Sequence, residues 1–432
     1  MKNRKALALI AILALVAAAC GGSDGGSDEA VVEVETTEAP ATTEAPTTTA
    51  APAPASDPLI LASLMPLSGD LASLGPGIAL GAALAVEQIN AAGGINGQPV
   101  QLIEGDSGCD GAVALTSLND VIAQGAQGVM GAACSGTSLA ILDTAIAAKV
   151  VMVSPSNTSP QFTKIDKKGF YARTAPSDLL QGDVLASLLV EDGVQTVSII
   201  SRADSYGRGL AEATAAAFEA AGGTVKTIVY HATDASEFTS EVTAVGKGGA
   251  DAIVGILFPE TGCGVLQPAF EQGLLDTPWY MTDGVKDAGL ASLCGLGTAL
   301  DGFKGTAPGS AAGEAKDAFE AAYAEVSADG SPTFIFAPQA YDAVMLMAIS
   351  AAANGVTGPE IASGLVAASS GGEKCIGVAC IALAADGVDV DYVGASGEIE
   401  LNAVGDPTAA TYDIWTTEGD TNPVLKSVDF GS

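Results

Sequence analysis

Histidine is almost missing from this chain of 432 residues, which holds one, His231. General bases poised at neutral pH and imidazole metal sites depend on histidine, so Ser/His/Asp, Cys/His and His-rich metal chemistry would all have to run through it. His231 ends a strand-like run, has no matching serine or cysteine motif, and is expected at the surface. Cations are scarce as well. Lysine and arginine number 17 against 51 acids, a formal charge of −34. Such a polyanion repels phosphate backbones and anionic lipid headgroups, which argues against nucleic-acid binding and electrostatic membrane docking. Charged residues of both signs make up only 16% and hydrophobic residues 48%. A chain so composed buries a substantial core, and its length implies two or three domains.

A membrane-spanning helix needs about 20 apolar residues, and the run Ala6–Ala19 is shorter than that. Behind the positive Lys2, Arg4 and Lys5 it reads as a secretory signal. Its end, Ala17-Ala18-Ala19-Cys20 followed by Gly21, resembles the lipobox of bacterial lipoproteins, whose cysteine is lipidated and becomes the first mature residue. Ala17 stands where that motif more often has leucine. Residues 1–20 are therefore expected to be a lipoprotein signal peptide with Cys20 as the lipidation site. Residues 21–57 shift to Gly, Ser, Thr, Pro, Ala and acids, too few bulky apolar groups to offset the entropy of ordering, and read as a disordered tether. The Gly-x-Ser-x-Gly string at Gly21–Gly25 lies inside it with no strand before and no helix after, so it is no nucleophile elbow. From Pro58 onward the chain keeps 14 bases and 43 acids, so the acidity belongs to the folded part.

Six cysteines remain beyond Cys20: Cys109, Cys134, Cys263, Cys294, Cys375 and Cys380. An even number in an exported chain favours disulfides, and six allow 15 connectivities. The local pairing 109–134, 263–294, 375–380 would join segments that successive strand–helix units place side by side. None forms a Cys-x-x-Cys knuckle, so no metal site is expected.

Leu59-Ile60-Leu61-Ala62-Ser63-Leu64-Met65, closed by Pro66, has the near-continuous apolar character of a strand buried on both faces of a parallel sheet. A helical pattern over Gly77–Ala92 stops at Gly93-Gly94. The exchange continues with strand signals at Pro99–Glu104, Gly128–Ala132 and Val150–Ser154 and helix signals at Ala112–Ala123 and Thr137–Ala148. After an extended segment at Phe170–Ala175 it begins again. Strand signals lie at Val194–Ser201, Thr224–His231, Ala250–Leu257 and Pro278–Thr282, and helix signals at Leu179–Asp192, Gly209–Ala221, Glu237–Lys247 and Gly264–Gly273. Regular exchange of this kind predicts an α/β protein of two doubly wound lobes, with a ligand at the carboxyl ends of the strands between them. Helix signals at Ala311–Val326 and Ala337–Ala352 and short strand signals at Glu398–Leu401 and Ala410–Thr416 suggest that the chain crosses back.

These residues resemble the solute-binding proteins of branched-chain amino acid ABC importers, which have the type I periplasmic-binding fold, and the resemblance implies that a hinge joins the two lobes. The segments that carry the resemblance are Met65–Gly69, Val86–Gly97, Asp106–Asp110, Gly131–Ser135, Ser154–Pro160 and Ser205–Leu210. They occur in order across nearly all of Pro58 to Trp415. The first lobe is then expected over 58–176 and 304–396, the second over 177–303 and 397–432. The resemblance implies a Cys109–Cys134 disulfide and a ligand carboxylate held by Ser135. Ser135 also precedes a helix signal, where its hydroxyl and free N–H groups would favour an anion. Ser156 and Thr158 match positions that bind the ammonium and carboxylate of an amino acid, in a loop whose backbone groups are left free. Asp283 matches an acid that pairs with the ammonium from the other lobe, and Tyr206 matches a cleft tyrosine. Leu74 stands where tryptophan is common, and Leu257 or Phe258 where tyrosine is common, so the wall is aliphatic and leaves the ligand side chain open.

The function this implies is an extracytoplasmic, lipid-anchored receptor, a monomer without cofactor or catalytic residues. It would bind a branched-chain or other apolar amino acid between its lobes and deliver it to an ABC permease and ATPase. The alternative is the same fold binding a short amide, urea or an aromatic acid.

Overall fold

The computed structural model describes residues 57–235 and 237–430, so the signal peptide, Cys20 and the tether up to residue 56 lie outside the described residues. From Pro58 the chain runs through β1 (Ile60–Met65), α1 (Gly75–Ala91), β2 (Gln101–Asp106), α2 (Gly111–Ala123), β3 (Gly128–Gly131), α3 (Ser135–Ala148), β4 (Val151–Ser154), α4 (Gln161–Lys164) and β5 (Tyr171–Arg173). The strands form a sheet in the order β2-β1-β3-β4-β5, every neighbouring pair parallel. Leu61, Ala62, Leu64 and Met65 are all buried, because β1 is covered on both faces.

Local chemistry sets where the helices begin. Asp110 accepts the N–H groups of Ala112 and Val113 at 2.8 and 3.0 Å and so caps α2. At Gly75 a Cβ would lie 1.8 Å from the Pro66 carbonyl oxygen, so only glycine lets α1 start against the end of β1.

The pattern then repeats: α5 (Asp178–Glu191), β6 (Thr196–Arg202), α6 (Ser205–Ala220), β7 (Thr224–His231), α7 (Thr239–Gly246), β8 (Ala252–Ile256), α8 (Pro259–Glu271), β9 (Trp279–Met281), α9 (Leu290–Leu293) and β10 (Lys304–Pro308). Next come α10 (Glu314–Val326), α11 (Ala337–Asn354), α12 (Gly358–Gly364), β11 (Glu373–Ile376), α13 (Ala379–Ala385), β12 (Val390–Gly394), β13 (Gly397–Glu398), β14 (Ala410–Thr416) and β15 (Val424–Phe430). The second sheet has the order β15-β14-β10-β9-β8-β6-β7. Its parallel part, β7-β6-β8-β9-β10, reproduces the order of the first sheet, so each sheet reverses strand order at one switch point, between β1 and β3 and between β6 and β8. The return helices α10 and α11 pack on α1, and α11 also meets β3 and β4. Residues Ala337–Ala351 are buried throughout, which places α11 in the interior.

Several expectations change. The segment from 304 does not open the return to the first sheet, because β10 pairs with β9 and β14 in the second. The segment at Glu398–Leu401 does not belong with the second sheet, because β13 folds back on β12 with Val393 opposite Glu398. The helix expected from Gly264 begins at Pro259, since proline at the first position and Glu260 in the first turn both suit a helix start. Strand β15 carried no readable pattern because its residues are exposed or half-exposed, which removes the apolar alternation of a half-buried strand. His231 is not at the surface. Its Nδ1 lies 2.8 Å from the Ala232 carbonyl oxygen, and its ring packs against Phe238 at 4.5 Å, fully buried.

All three local cysteine pairs, Cys109–Cys134, Cys263–Cys294 and Cys375–Cys380, are disulfide-bonded. Among the described residues no helix is long and apolar enough to cross a membrane.

Candidate functional site

The carboxyl ends of β1, β3 and β4 in one sheet and of β6, β8 and β9 in the other lead into loops that meet around one narrow pocket. Its lining is Leu71, Leu74, Ile78, Ala133, Ser135, Ser156, Tyr206, Phe258, Asp283, Gly284 and Phe336. Two switch points facing each other are where ligands of such sheets bind. Five residues expected at a site, Leu74, Ser135, Ser156, Tyr206 and Asp283, are brought together here. Thr158 and Leu257 are not in the lining. Leu257 is buried, with Phe258 beside it on the pocket, as neighbours at a strand end turn to opposite sides. Thr158 is also fully buried; its carbonyl accepts the Asp178 N–H at 2.8 Å.

On the first-sheet side, Ser135 opens α3 and its hydroxyl accepts the Ser159 N–H at 3.4 Å. The Ser156 hydroxyl donates to the Ala133 carbonyl at 3.1 Å. Between them Asn157 staples the loop, donating to the carbonyls of Ala132 and Ala133 at 3.1 and 2.7 Å and accepting from the Tyr171 phenol at 2.9 Å. Arg173 supports this loop from below. Its guanidinium donates to the carbonyls of Asn157 and Ser159 at 3.1 and 3.0 Å and pairs with Asp406 at 2.9 Å, entirely out of solvent.

On the other side, Asp283 follows β9. Its Oδ1 accepts from Gln181 Nε2 at 2.8 Å and from the Tyr206 phenol at 2.9 Å. Burial pushes its carboxyl up from 3.8 to about 6, while the hydrogen bonds from Gln181 and Tyr206 hold it down. Asp178, in the first turn of α5, is buried beside it. Among the described residues the side-chain group that faces it is the Thr158 hydroxyl, which lowers its pKa without good hydrogen-bond geometry. Burial first, and then the negative charge of Asp283, raise the Asp178 carboxyl well above its ordinary value. Two buried carboxyl groups close enough to influence each other favour a cation between the lobes.

The remaining wall is apolar. Phe258 stacks on Tyr206 with centroids 5.3 Å apart, and Leu71, Leu74, Ile78 and Phe336 complete it. Phe336 holds a left-handed backbone, φ 62°, uncommon for a bulky residue and found where a side chain must be aimed.

Sequence reasoning missed Asp178, Gln181, Arg173 and Phe336. Asp178 and Gln181 left a signal: they are polar residues three apart on the stripe that Leu185 and Leu188 continue toward the core. Arg173 and Phe336 left none, because a buried ion pair across 233 residues and a backbone angle are not local patterns.

Residues 58–374 match the periplasmic binding protein family. An amino acid binding protein of Pseudomonas aeruginosa is 34% identical over 238 residues, 53% of this chain and 62% of that protein. A leucine-, isoleucine-, valine-, threonine- and alanine-binding protein of the same organism is 29% identical over 304 residues, 68% of this chain and 78% of that one. The chain thus spans less than two thirds of the first relative's length. Among solved structures, the branched-chain amino acid transporter substrate-binding protein of Streptococcus pneumoniae, in complex with isoleucine, superposes with a TM-score of 0.72 at 22% identity, covering 87% of this chain and all of that one.

Proposed function

The chain belongs to the periplasmic binding protein family, and on that footing we propose that it is the extracytoplasmic receptor of an ABC importer for an apolar α-amino acid, branched-chain ones first. The observation that carries this reading is the polarity of the pocket: a buried carboxyl group, Asp283, on one lobe, Ser135 at a helix start and Ser156 in a loop on the other, and an apolar wall between. An α-amino acid has the complementary parts. Its ammonium would pair with Asp283, a charge-assisted contact that relieves the cost of ionising a buried acid. Its carboxylate would be held by Ser135 and Ser156, with Thr158 behind them and the unpaired N–H groups of the first turn of α3 adding a positive field. Its side chain would lie against Leu74, Phe258 and Phe336. Residues such as Asp178 and Arg173 would shape and charge the site without touching the ligand.

The mechanism is binding with closure of the lobes, without covalent chemistry. The chain leaves the first sheet after β5, leaves the second after β10 and rejoins it at β14, and these three connections would serve as the hinge. The closed form is then delivered to a permease driven by an ATPase. The receptor works as a monomer held at the membrane by a lipid on Cys20. A short amide, urea or aromatic acid would leave Asp283 buried with no cation, so the amino acid reading is favoured.

The test is a thermal-shift panel on residues 58–432 with the twenty amino acids, urea, acetamide and benzoate. A ligand at a hundred times its dissociation constant stabilises by about 2.7 kcal/mol, roughly 3 °C for a chain of this size. A shift with leucine, isoleucine or valine that disappears in Asp283→Ala is expected, together with compaction in small-angle scattering. A shift only with urea, acetamide or benzoate would overturn the amino acid assignment.

A further inference from the structure

We infer that Asp70 and Glu260 form a reciprocal latch that holds the two lobes closed and sets ligand affinity without touching the ligand. The inference rests on the receptor reading above. Asp70 lies in the loop after β1, on the first lobe, and its carboxylate crosses to the second. Oδ1 accepts the Thr261 N–H at 2.7 Å, and Oδ2 accepts the Thr261 hydroxyl at 2.9 Å and pairs with Arg202. Thr261 belongs to the first turn of α8, where an anion is favoured by the free N–H groups and the helix dipole. Glu260, next to it, reaches the opposite way. Its Oε1 accepts the N–H of Ser73, in the same first-lobe loop, at 2.9 Å. Each lobe therefore offers one acid to backbone of the other.

Arg202 is prepared for this contact from its own lobe. It is nearly solvent-free, pairs with Asp204 at 2.9 Å and donates to the Thr261 hydroxyl at 3.0 Å. Its guanidinium is thus charge-compensated and aimed before Asp70 arrives, which lowers the ordering cost of forming the latch.

The latch is wired to the pocket on both sides. The Arg202 guanidinium lies 3.9 Å from the centroid of Phe258, which lines the pocket and stacks on Tyr206. Leu71 and Leu74, each one residue from a latch group, line it as well. One loop therefore carries both an apolar wall of the pocket and the contacts that close it. Neither acid is in the lining, so their effect falls on the open–closed equilibrium, which every ligand shares.

The experiment titrates wild type, Asp70→Asn and Glu260→Gln with L-leucine and with L-isoleucine at low and high salt, and reads the amide exchange of Thr261 and Ser73. Each variant is expected to weaken both ligands by the same factor, about tenfold. The loss should sit in faster dissociation with unchanged association, while the unliganded melting temperature stays as in wild type. Wild-type affinity should fall with salt and that of Asp70→Asn should not. Thr261 should lose protection in Asp70→Asn and Ser73 in Glu260→Gln. Unchanged affinity, a loss for one ligand only, or an equal drop in unliganded stability would overturn the latch. If wild type binds neither amino acid, the branched-chain assignment fails, and the exchange of Thr261 and Ser73 alone decides the latch; unchanged protection in both variants overturns it.

Discussion

Gln181 and Tyr206, from two different helices, donate to the same oxygen of Asp283, at 2.8 and 2.9 Å. The phenol is also 2.9 Å from the Thr282 hydroxyl, so it is positioned from two directions. A carboxylate held in this way is ready for a cation before one arrives, which reduces the reorganisation that binding must meet.

Removing one of the two donors is the first prediction. Tyr206→Phe keeps the stack on Phe258 and loses the hydrogen bond to a charged group, a cost of about 1.5–3 kcal/mol. Calorimetry at neutral pH should show affinity for leucine lowered by roughly one to two orders of magnitude. Affinity equal to wild type would mean that Asp283 does not hold the ammonium.

Asp283 also sets a pH dependence. Its carboxyl titrates near 6 in the folded protein and near 3.8 unfolded, so the folded state holds the extra proton between those values. Stability of the unliganded protein is therefore lost as pH rises through that interval, by about 3 kcal/mol from this group. Asp283→Asn should be more stable relative to wild type at neutral pH than at pH below 3.8, by denaturant titration. Ammonium binding needs the carboxylate, so wild-type affinity should fall about tenfold per pH unit below 6.

His231 acts in the opposite sense. Burial, with smaller terms around it, lowers its pKa below 6.5, so the unfolded chain takes up a proton more readily than the folded one. Stability from this group is complete above 6.5 and is lost as pH falls below it. His231→Gln should flatten that acid limb, leaving the Asp283 limb in place. Parallel curves for wild type and variant would contradict the buried neutral ring.

Arg173 and Asp406 supply a stability prediction. Asp406→Ala leaves a fully buried guanidinium without its counter-ion, a change that costs about 3–5 kcal/mol. Because Arg173 also braces the carbonyls of Asn157 and Ser159, leucine affinity should fall together with the denaturation midpoint. Normal stability would show that the ion pair is replaced by water or by a nearby acid.

Much of the architecture was legible in the chain, for reasons tied to particular segments. Leu59–Met65 announces a doubly covered strand, Gly93-Gly94 a helix end, and the alternation repeats often enough to imply two sheets. Ser135, Ser156, Tyr206 and Asp283 stood where strand ends could be expected, so their convergence followed from the topology and from the family resemblance. The sheet to which β10 belongs is not legible, because its partners, β9 and β14, lie on either side of it in sequence and nothing in Lys304–Pro308 favours one sheet over the other. The burial of His231 is not legible locally, because the residue that covers it, Phe238, belongs to the next element.

By itself the sequence determined the order and kind of most elements, the excess of acid, and an even set of cysteines suited to disulfides, whose pairing the structure supplied. These depend on runs of a few residues, whose periodicity and turn chemistry act at short range. Only the tertiary structure decided that Asp178 is buried beside Asp283, that Gln181 reaches across 102 residues to that carboxylate, and that Asp70 meets Arg202 across 132. A polar group's charge state and partners depend on which distant groups exclude water from it, and that information exists only once the two lobes are assembled.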